Sequence, residues 1–522
     1  MRSVRIGGLA TDLCLPDGAG PHPAVLLRTP YDRRRHRAEL RAWAARGFAA
    51  VGQDVRGRHA SEGAWLPYRS EAADGAAALD WIRAQEWSDG RVVAVGASYA
   101  AHCALAPLLA RGEAGNGAAG HADGGRGAVG RGPDAVIVAV PALGPGEVAR
   151  EATGVERLSA RAGWWLAHGD RADSDDQALA RTLRDTPDLL DRLPVAQMLP
   201  LASWPGVWAA RRDEGLWERA ASARVPLLAV GGSRDPFAAE TIRLWRSWGG
   251  PARLLLGPWG HGLTATPAPE ARPEHHLDLG SLYAHWAREA LAGTLAGRRG
   301  AIGLGGSAHW RAAASEVLGS GAPSPDPESE HAERLVPYRF GEGAGLRLVR
   351  GAEFVAEPGR PVRSDRLDID EHGAPDRCLL VGPPLPRPLD LHGEAEVRLV
   401  ATAEGRSADW VVRLVALRPD GRAEPLATGV ARFEGQESLG ERELTVPLGC
   451  LARRLDAGIR LRVEVAGHHF PAHARNPHTG EDPVTATRLL PSRRAVRMTG
   501  SALLLPVTRR TAAIDPVQEI LR

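Results

Sequence analysis

The sequence contains no lysine: its 65 basic residues are all arginines, set against 63 carboxylates for a formal net charge of +2. A chain so nearly neutral has no large field of one sign, which excludes nucleic acid and an anionic membrane as expected partners. Cysteine is scarce too. Cys14, Cys103, Cys378 and Cys450 stand far apart without a C-x-x-C pair, so neither a disulfide framework nor a cysteine zinc site is expected. No apolar run reaches the length of a membrane span, and the opening MRSVRIGGLATDLCLP lacks the hydrophobic centre of a signal peptide. The expected location is the cytoplasm. What is abundant (Ala, Gly, Pro, Arg) reflects GC-rich coding. At 522 residues the chain exceeds a single core and predicts two or three domains.

Three regions differ in pattern. Buried apolar runs at 23–29, 48–54, 91–96 and 135–140 alternate with helical segments at 38–46 and 71–85, which predicts a parallel sheet covered on both faces. The strand signal stops from Pro141 to about Val225, where helical segments carry Trp164, Trp165, Trp204, Trp208 and Trp217. It resumes with VPLLAVGG at 225–232 and ARLLLG at 252–257. Beyond about residue 300, short alternating strands separated by turns such as Pro419-Asp420-Gly421 predict an all-β sandwich or jelly roll. The expected division is 1–140 and 226–298 for one α/β domain, 141–225 for an inserted helical cap and 299–522 for the β domain. The Gly/Ala-rich stretch 112–132 is expected to be a loose surface insertion.

The most informative stretch is VVAVGASYAAHCA at 92–104: a strand, a tight turn centred on Ser98, then a helix. Such an elbow lifts a serine hydroxyl beside a helix N-terminus, where developing negative charge is favoured. A serine needs a base, and the base needs an orienting acid. The 225–232 strand runs into Ser233-Arg234-Asp235, and the 252–257 strand into Pro258-Trp259-Gly260-His261. Serine, acid and histidine, each after a strand and in that order, is the pattern of an α/β-hydrolase. Tyr31, after the first buried strand, stands where a hydroxyl can donate to an oxyanion, with the Tyr99 amide as second donor.

RTPYD (28–32), QDVRGR and SEG (53–63), WIRAQEWSDGRV (81–92), GASYA (96–100), GGSRD (231–235) and GPWGHG (257–262) resemble the cocaine esterase and X-prolyl dipeptidyl-peptidase family of serine hydrolases. SADWVVRLVALRPDG (407–421) and HHFPAHARNPHTG (468–480) extend the resemblance into the β region. It implies an α/β-hydrolase domain, a helical cap and a C-terminal jelly roll of galactose-binding-like type. It also implies Ser98 as nucleophile, Asp235 and His261 as its partners, and Tyr31 with the Tyr99 amide as oxyanion hole. Four features depart from the family pattern. Ala100 and Ala101 replace glycines, which puts tight helix–strand packing in question. His59-Ala60 replace Gly-Asp. Ser233-Arg234 replace an aromatic pair, which points to an altered pocket. The start lacks the usual first hairpin.

The expectation is therefore a serine hydrolase acting on a small ester or amide through an acyl-enzyme, with no metal and no organic cofactor. Trp164, Trp165 and Phe237 are candidates to line the acyl pocket, weighed evenly against a packing role. The run Arg33-Arg34-Arg35-His36-Arg37 is expected to be a solvated face, His275-His276 exposed loop histidines, and His102 a packing residue. Acyl transfer, X-Pro peptidase or amidase action, and a binding protein with a vestigial triad are the alternatives, with the ester hydrolase preferred. Pairing of two copies into a homodimer stays open.

Overall fold

The computed structural model describes residues 1–110, 132–313, 334–341, 343, 345–369, 374–434, 440–508 and 512–522. The 112–132 stretch, apart from its last residue, lies outside the described residues.

Apolar runs and alternation build a ten-stranded sheet. Its strands are β1 (Arg2–Ile6), β2 (Leu9–Cys14), β3 (His22–Thr29), β4 (Ala49–Asp54), β5 (Ser88–Ala97), β6 (Ala135–Ala139), β7 (Leu227–Gly232) and β8 (Ala252–Gly257), with two later strands at the far edge. After β8 come a short hairpin, β9 (Trp259–Gly260) and β10 (Leu263–Pro267), and then those edge strands, β11 (Arg298–Gly303) and β12 (Trp310–Ala312). The order is β1-β2-β4-β3-β5-β6-β7-β8-β11-β12, parallel from β4 through β11. Side chains alternate across the pleat. Leu228, Val230 and Leu255 therefore pack to one side with Trp43, Trp286 and Ile520, while Leu227, Ala229 and Leu254 pack to the other with Leu105, Ile242 and Trp245. The helices supplying these are α1 (Arg37–Ala44) and α3 (Tyr99–Leu109) before the cap and three more after it, while α2 (Glu71–Arg83) packs Ala78, Leu79 and Ile82 against Leu26 and Val51.

The cap follows β6 and comprises α4 (Pro145–Ala149), α5 (Ser159–His168), α6 (Ala178–Asp185), α7 (Trp204–Ala209) and α8 (Leu216–Ser222). It has its own small core around Trp165, Met198, Trp204 and Trp208. Then come α9 (Ala238–Ser247), α10 (Leu279–Ala292) and, near the end of the sequence, α11 (Pro516–Leu521). The β domain is two five-stranded sheets face to face, one in the order 334–339, 492–507, 389–403, 442–455 with 353–356 beside 492–507. The other runs 347–350, 377–384, 460–466, 407–417, 423–434. Its loop 468–480 reaches the cap: the amides of Leu158 and Ser159, at the start of α5, donate to the carbonyls of Ala472 and Pro471.

Three expectations need correction. A first hairpin is present, because β1 and β2 pair antiparallel about Gly7-Gly8, both at positive φ. The α/β sheet does not stop at residue 298: β11 adds parallel to β8, β12 adds antiparallel to β11, and Ile520 of α11 returns to its core. These pairings join distant segments, so no local pattern announces them. Arg33 is not part of a solvated face. It is buried against Asp54 and Asp12, and Arg37 also bonds Asp12 at 2.9 Å, while Arg34 and Arg35 are exposed.

Candidate active site

β5 ends at Ala97 and α3 begins at Tyr99, so the whole reversal falls on Ser98, at φ 57° and ψ −122°. That backbone is sparsely populated for a residue with a side chain, and the surrounding hydrogen bonds must hold it. The Ser98 amide donates to the Ala139 carbonyl at 2.9 Å, and the Ser98 carbonyl accepts from Ala101 and Ala142. A Cβ at Gly96 would lie 2.1 Å from the Ala100 carbonyl oxygen, so the strand side of the turn needs glycine. The helix side does not: Ala100 and Ala101 are both buried without disturbing the packing that their presence put in question.

His261 sits at the tip of the β9–β10 hairpin and Asp235 in the turn after β7. Gly232 couples the two loops, since a Cβ there would lie 2.2 Å from the Trp259 carbonyl oxygen. His261 Nδ1 lies 2.7 Å from Asp235 Oδ1, and His261 Nε2 lies 3.0 Å from Ser98 Oγ. A carboxylate only accepts, so the imidazole proton is on Nδ1 and Nε2 presents its lone pair to the serine hydroxyl. The Asp235 side chain is 0% exposed and its second oxygen accepts from the Phe237 amide, whereas the His261 side chain is 45% exposed. The acid is held rigidly and the histidine faces an open site.

The Tyr31 hydroxyl is 3.4 Å from Ser98 Oγ. Its oxygen accepts from Trp164 Nε1 at 3.2 Å. With the indole N–H on its oxygen, its own proton is free to point toward the serine. Burial pushes this phenol above the usual tyrosine range, so it remains a donor. The loop carrying it is clamped: Arg58 Nε and His59 Nε2 each donate to the Pro30 carbonyl, both at 3.0 Å. The Tyr99 side chain runs the other way, donating to Glu71 Oε1 at 2.7 Å and accepting from the Tyr68 amide at 2.6 Å. Burial likewise holds the Tyr99 phenol well above its usual range. Sequence patterns brought forward Ser98, Asp235, His261, Tyr31 and Tyr99. They did not single out Arg58, Tyr68 or Glu71, although Arg58 stands in the QDVRGR motif.

Among the pocket candidates, Trp164 is half-buried and stacks on Tyr99 with an interplanar angle of 13°. Phe237 meets the His261 ring edge-on at 5.7 Å. Trp165 lies in the cap core and donates to Ser203 Oγ. His102 donates through Nδ1 to the Leu143 carbonyl at 2.9 Å, away from the serine, and burial lowers its pKa. His275 differs from expectation: it is buried against Trp310, with Nδ1 accepting from the Arg272 amide, while His276 is exposed. Arg234 points away from the pocket that its presence was expected to alter. It pairs with Glu270 and donates to the carbonyls of Pro425 and Leu426 in the β domain. Among the described residues no three His, Cys, Asp or Glu side chains gather as a metal ion would need. Nor is any described helix long and apolar enough to cross a membrane.

Two family models match the chain. The X-Pro dipeptidyl-peptidase (S15 family) model covers residues 8–116 and 138–263, and the X-Pro dipeptidyl-peptidase C-terminal non-catalytic domain model covers 356–505. Fold and family match define the class: a serine hydrolase built on an α/β-hydrolase domain with a C-terminal β domain. The cocaine esterase of Rhodococcus sp. (strain MB1 Bresler) is 27% identical over 90% of each chain. The chain belongs to the cocaine esterase and X-prolyl dipeptidyl-peptidase family of α/β-hydrolases. In fold it is similar to an aminopeptidase from a marine sediment Thaumarchaeota archaeon, with a TM-score of 0.71 at 20% identity, covering 97% of this chain and 96% of that one. An α-amino acid ester hydrolase gives a TM-score of 0.68 at 20% identity and the same coverage.

Proposed function

We propose that this chain hydrolyses a carboxylic ester through a covalent acyl-enzyme on Ser98. The observation that carries this reading is the unbroken hydrogen-bonded row from Asp235 through His261 to Ser98, with spacings of 2.7 and 3.0 Å. Ser98 Oγ attacks the ester carbonyl as His261 Nε2 takes its proton. Asp235 keeps the imidazole in the required tautomer and stabilises its charged form. The Tyr31 hydroxyl and the Tyr99 amide receive the oxyanion. His261 then protonates the leaving alcohol, and water, activated by the same imidazole, releases the acid. Phe237 and the open face of Trp164 offer apolar contact to the substrate, while Trp165 serves the cap. An ester is preferred to an X-Pro peptide because such a peptide presents a free ammonium. The buried charge facing Tyr31 and Tyr68 from the cap is the cation of Arg161, which opposes an ammonium there.

A fluorophosphonate probe tests the reading directly. It is expected to label wild type at Ser98, and Ser98→Ala is expected to lose both the label and roughly 10⁶-fold in kcat on a nitrophenyl ester. An unlabelled wild type, or an alanine variant that still turns over, would overturn it. Product analysis with an added amine or alcohol separates hydrolysis from acyl transfer.

A further inference from the structure

Helix α5 carries Arg161, Trp164 and His168 along one stripe, at spacings of three and four residues. Two of the three touch Tyr31: Trp164 through its indole N–H, and His168 edge-on with ring centroids 5.0 Å apart. Arg161 lies one turn earlier on the same stripe. Before it in sequence, Arg157 reaches Phe237, its guanidinium 5.6 Å from the ring that packs on His261. Arg161 thus stands one turn before Trp164 on the helix that borders Tyr31, and it interacts electrostatically with Tyr31 and Tyr68.

Arg161 is only 7% exposed, its Nε is fully enclosed without a hydrogen-bond partner, and among the described residues it has no carboxylate partner. A desolvated guanidinium without a counter-charge is costly, and folded chains normally pair it. The neighbouring buried arginines all have polar partners, carboxylates for two of them and carbonyl and hydroxyl oxygens for Arg58. Arg157 binds Glu151 at 2.6 Å, Arg58 donates to the Pro30, His168, Arg171 and Asp173 carbonyls and to Ser174 Oγ, and Arg33 binds Asp12 and Asp54. Among the described residues Arg161 alone of this group has neither a carboxylate nor a side-chain hydrogen bond.

We infer that Arg161 is a specificity residue that pairs with an anionic substituent of the substrate, a carboxylate within a few bonds of the scissile ester. The inference rests on the serine-esterase reading and names the substrate class for that site. Guanidinium suits a carboxylate because its N–H groups form a planar fork. Tyr68, whose phenol burial keeps protonated, supplies a neutral neighbour that does not compete for the cation. The carboxylate can belong to the acyl chain or to the leaving group, and both are tested.

The acyl arm compares 4-nitrophenyl hydrogen glutarate with its methyl ester. The leaving-group arm compares the acetyl ester of 3-hydroxybenzoic acid with that of methyl 3-hydroxybenzoate. In one arm wild type is expected to favour the charged ester by about tenfold to a hundredfold in kcat/KM, the worth of one charge-assisted hydrogen bond. Arg161→Gln is expected to bring that ratio near one, and Arg161→Met replaces it should the glutamine variant not fold. No preference in either arm overturns the inference from wild type alone, as does a preference that survives both variants. Fluorophosphonate labelling run in parallel keeps the two readings apart. Labelled enzyme that hydrolyses the neutral esters without preference overturns only the anion site, whereas absence of labelling and of all turnover overturns the serine-esterase reading beneath it.

Discussion

Removing one oxygen atom from Tyr31 is the sharpest perturbation of the proposed mechanism. Tyr31→Phe keeps the ring beside His168 and removes the hydroxyl that lies 3.4 Å from Ser98 Oγ. Loss of one oxyanion donor costs about 3–4 kcal/mol, so kcat on a nitrophenyl ester should fall by roughly 10²–10³ with little change in KM. Trp164→Phe is the informative companion. It retains an aromatic ring against Tyr99 and removes the five-membered portion of the indole with the N–H that meets the Tyr31 oxygen at 3.2 Å. A single neutral hydrogen bond contributes about 0.5–1.5 kcal/mol, so kcat should fall about twofold to twelvefold. Since that bond acts only through the phenol, Trp164→Phe should have no further effect in the Tyr31→Phe background, and the double-mutant cycle should show coupling equal to the whole single-mutant loss. Pre-steady-state and steady-state kinetics on one chromogenic ester suffice. Additive losses, or a Trp164→Phe variant whose kcat holds, would refute the reasoning.

Two further outcomes follow from the geometry. Gly96→Ala places a methyl 2.1 Å from the Ala100 carbonyl oxygen, so the elbow must open: thermal unfolding should show a loss of several kcal/mol, and near-native stability would contradict the elbow packing. Acid should also destabilise the fold. Burial lowers His168 and His478 to about 4, so below pH 6.5 the unfolded chain takes protons that the native chain refuses. Stability is therefore full above pH 6.5 and falls as pH drops toward 4, by up to about 2 kcal/mol per histidine between pH 7 and 5. Urea unfolding at the two pH values reads this, and equal or greater stability at pH 5 refutes it.

The central strands could be read in advance because a run such as LLAVGG is apolar at every position and must be covered on both faces, whatever the rest of the chain does. The first hairpin was not expected, because the two short runs about Gly7-Gly8 mix apolar with polar residues and carry a weak period. Arg33 looked solvated because its neighbours are arginines. Asp12 and Asp54, which bury it, arrive on other strands. His275 is internal for a similar reason, since Trp310 comes from β12. Trp164 and Trp165 are adjacent in sequence yet turn to different surroundings, the Tyr31 hydroxyl and the cap core.

By itself the sequence determined what short-range sterics and burial dictate: strand, single-residue reversal and helix around Ser98, and loops after two later strands that end near an acid and a histidine. Only the tertiary structure decided which polar groups meet. The 3.0 Å approach of His261 to Ser98, the indole on the Tyr31 oxygen and the unpaired guanidinium of Arg161 each depend on segments far apart in the chain. Hydrogen bonding and charge pairing act over a few ångströms of space, and spacing along the chain does not fix that distance.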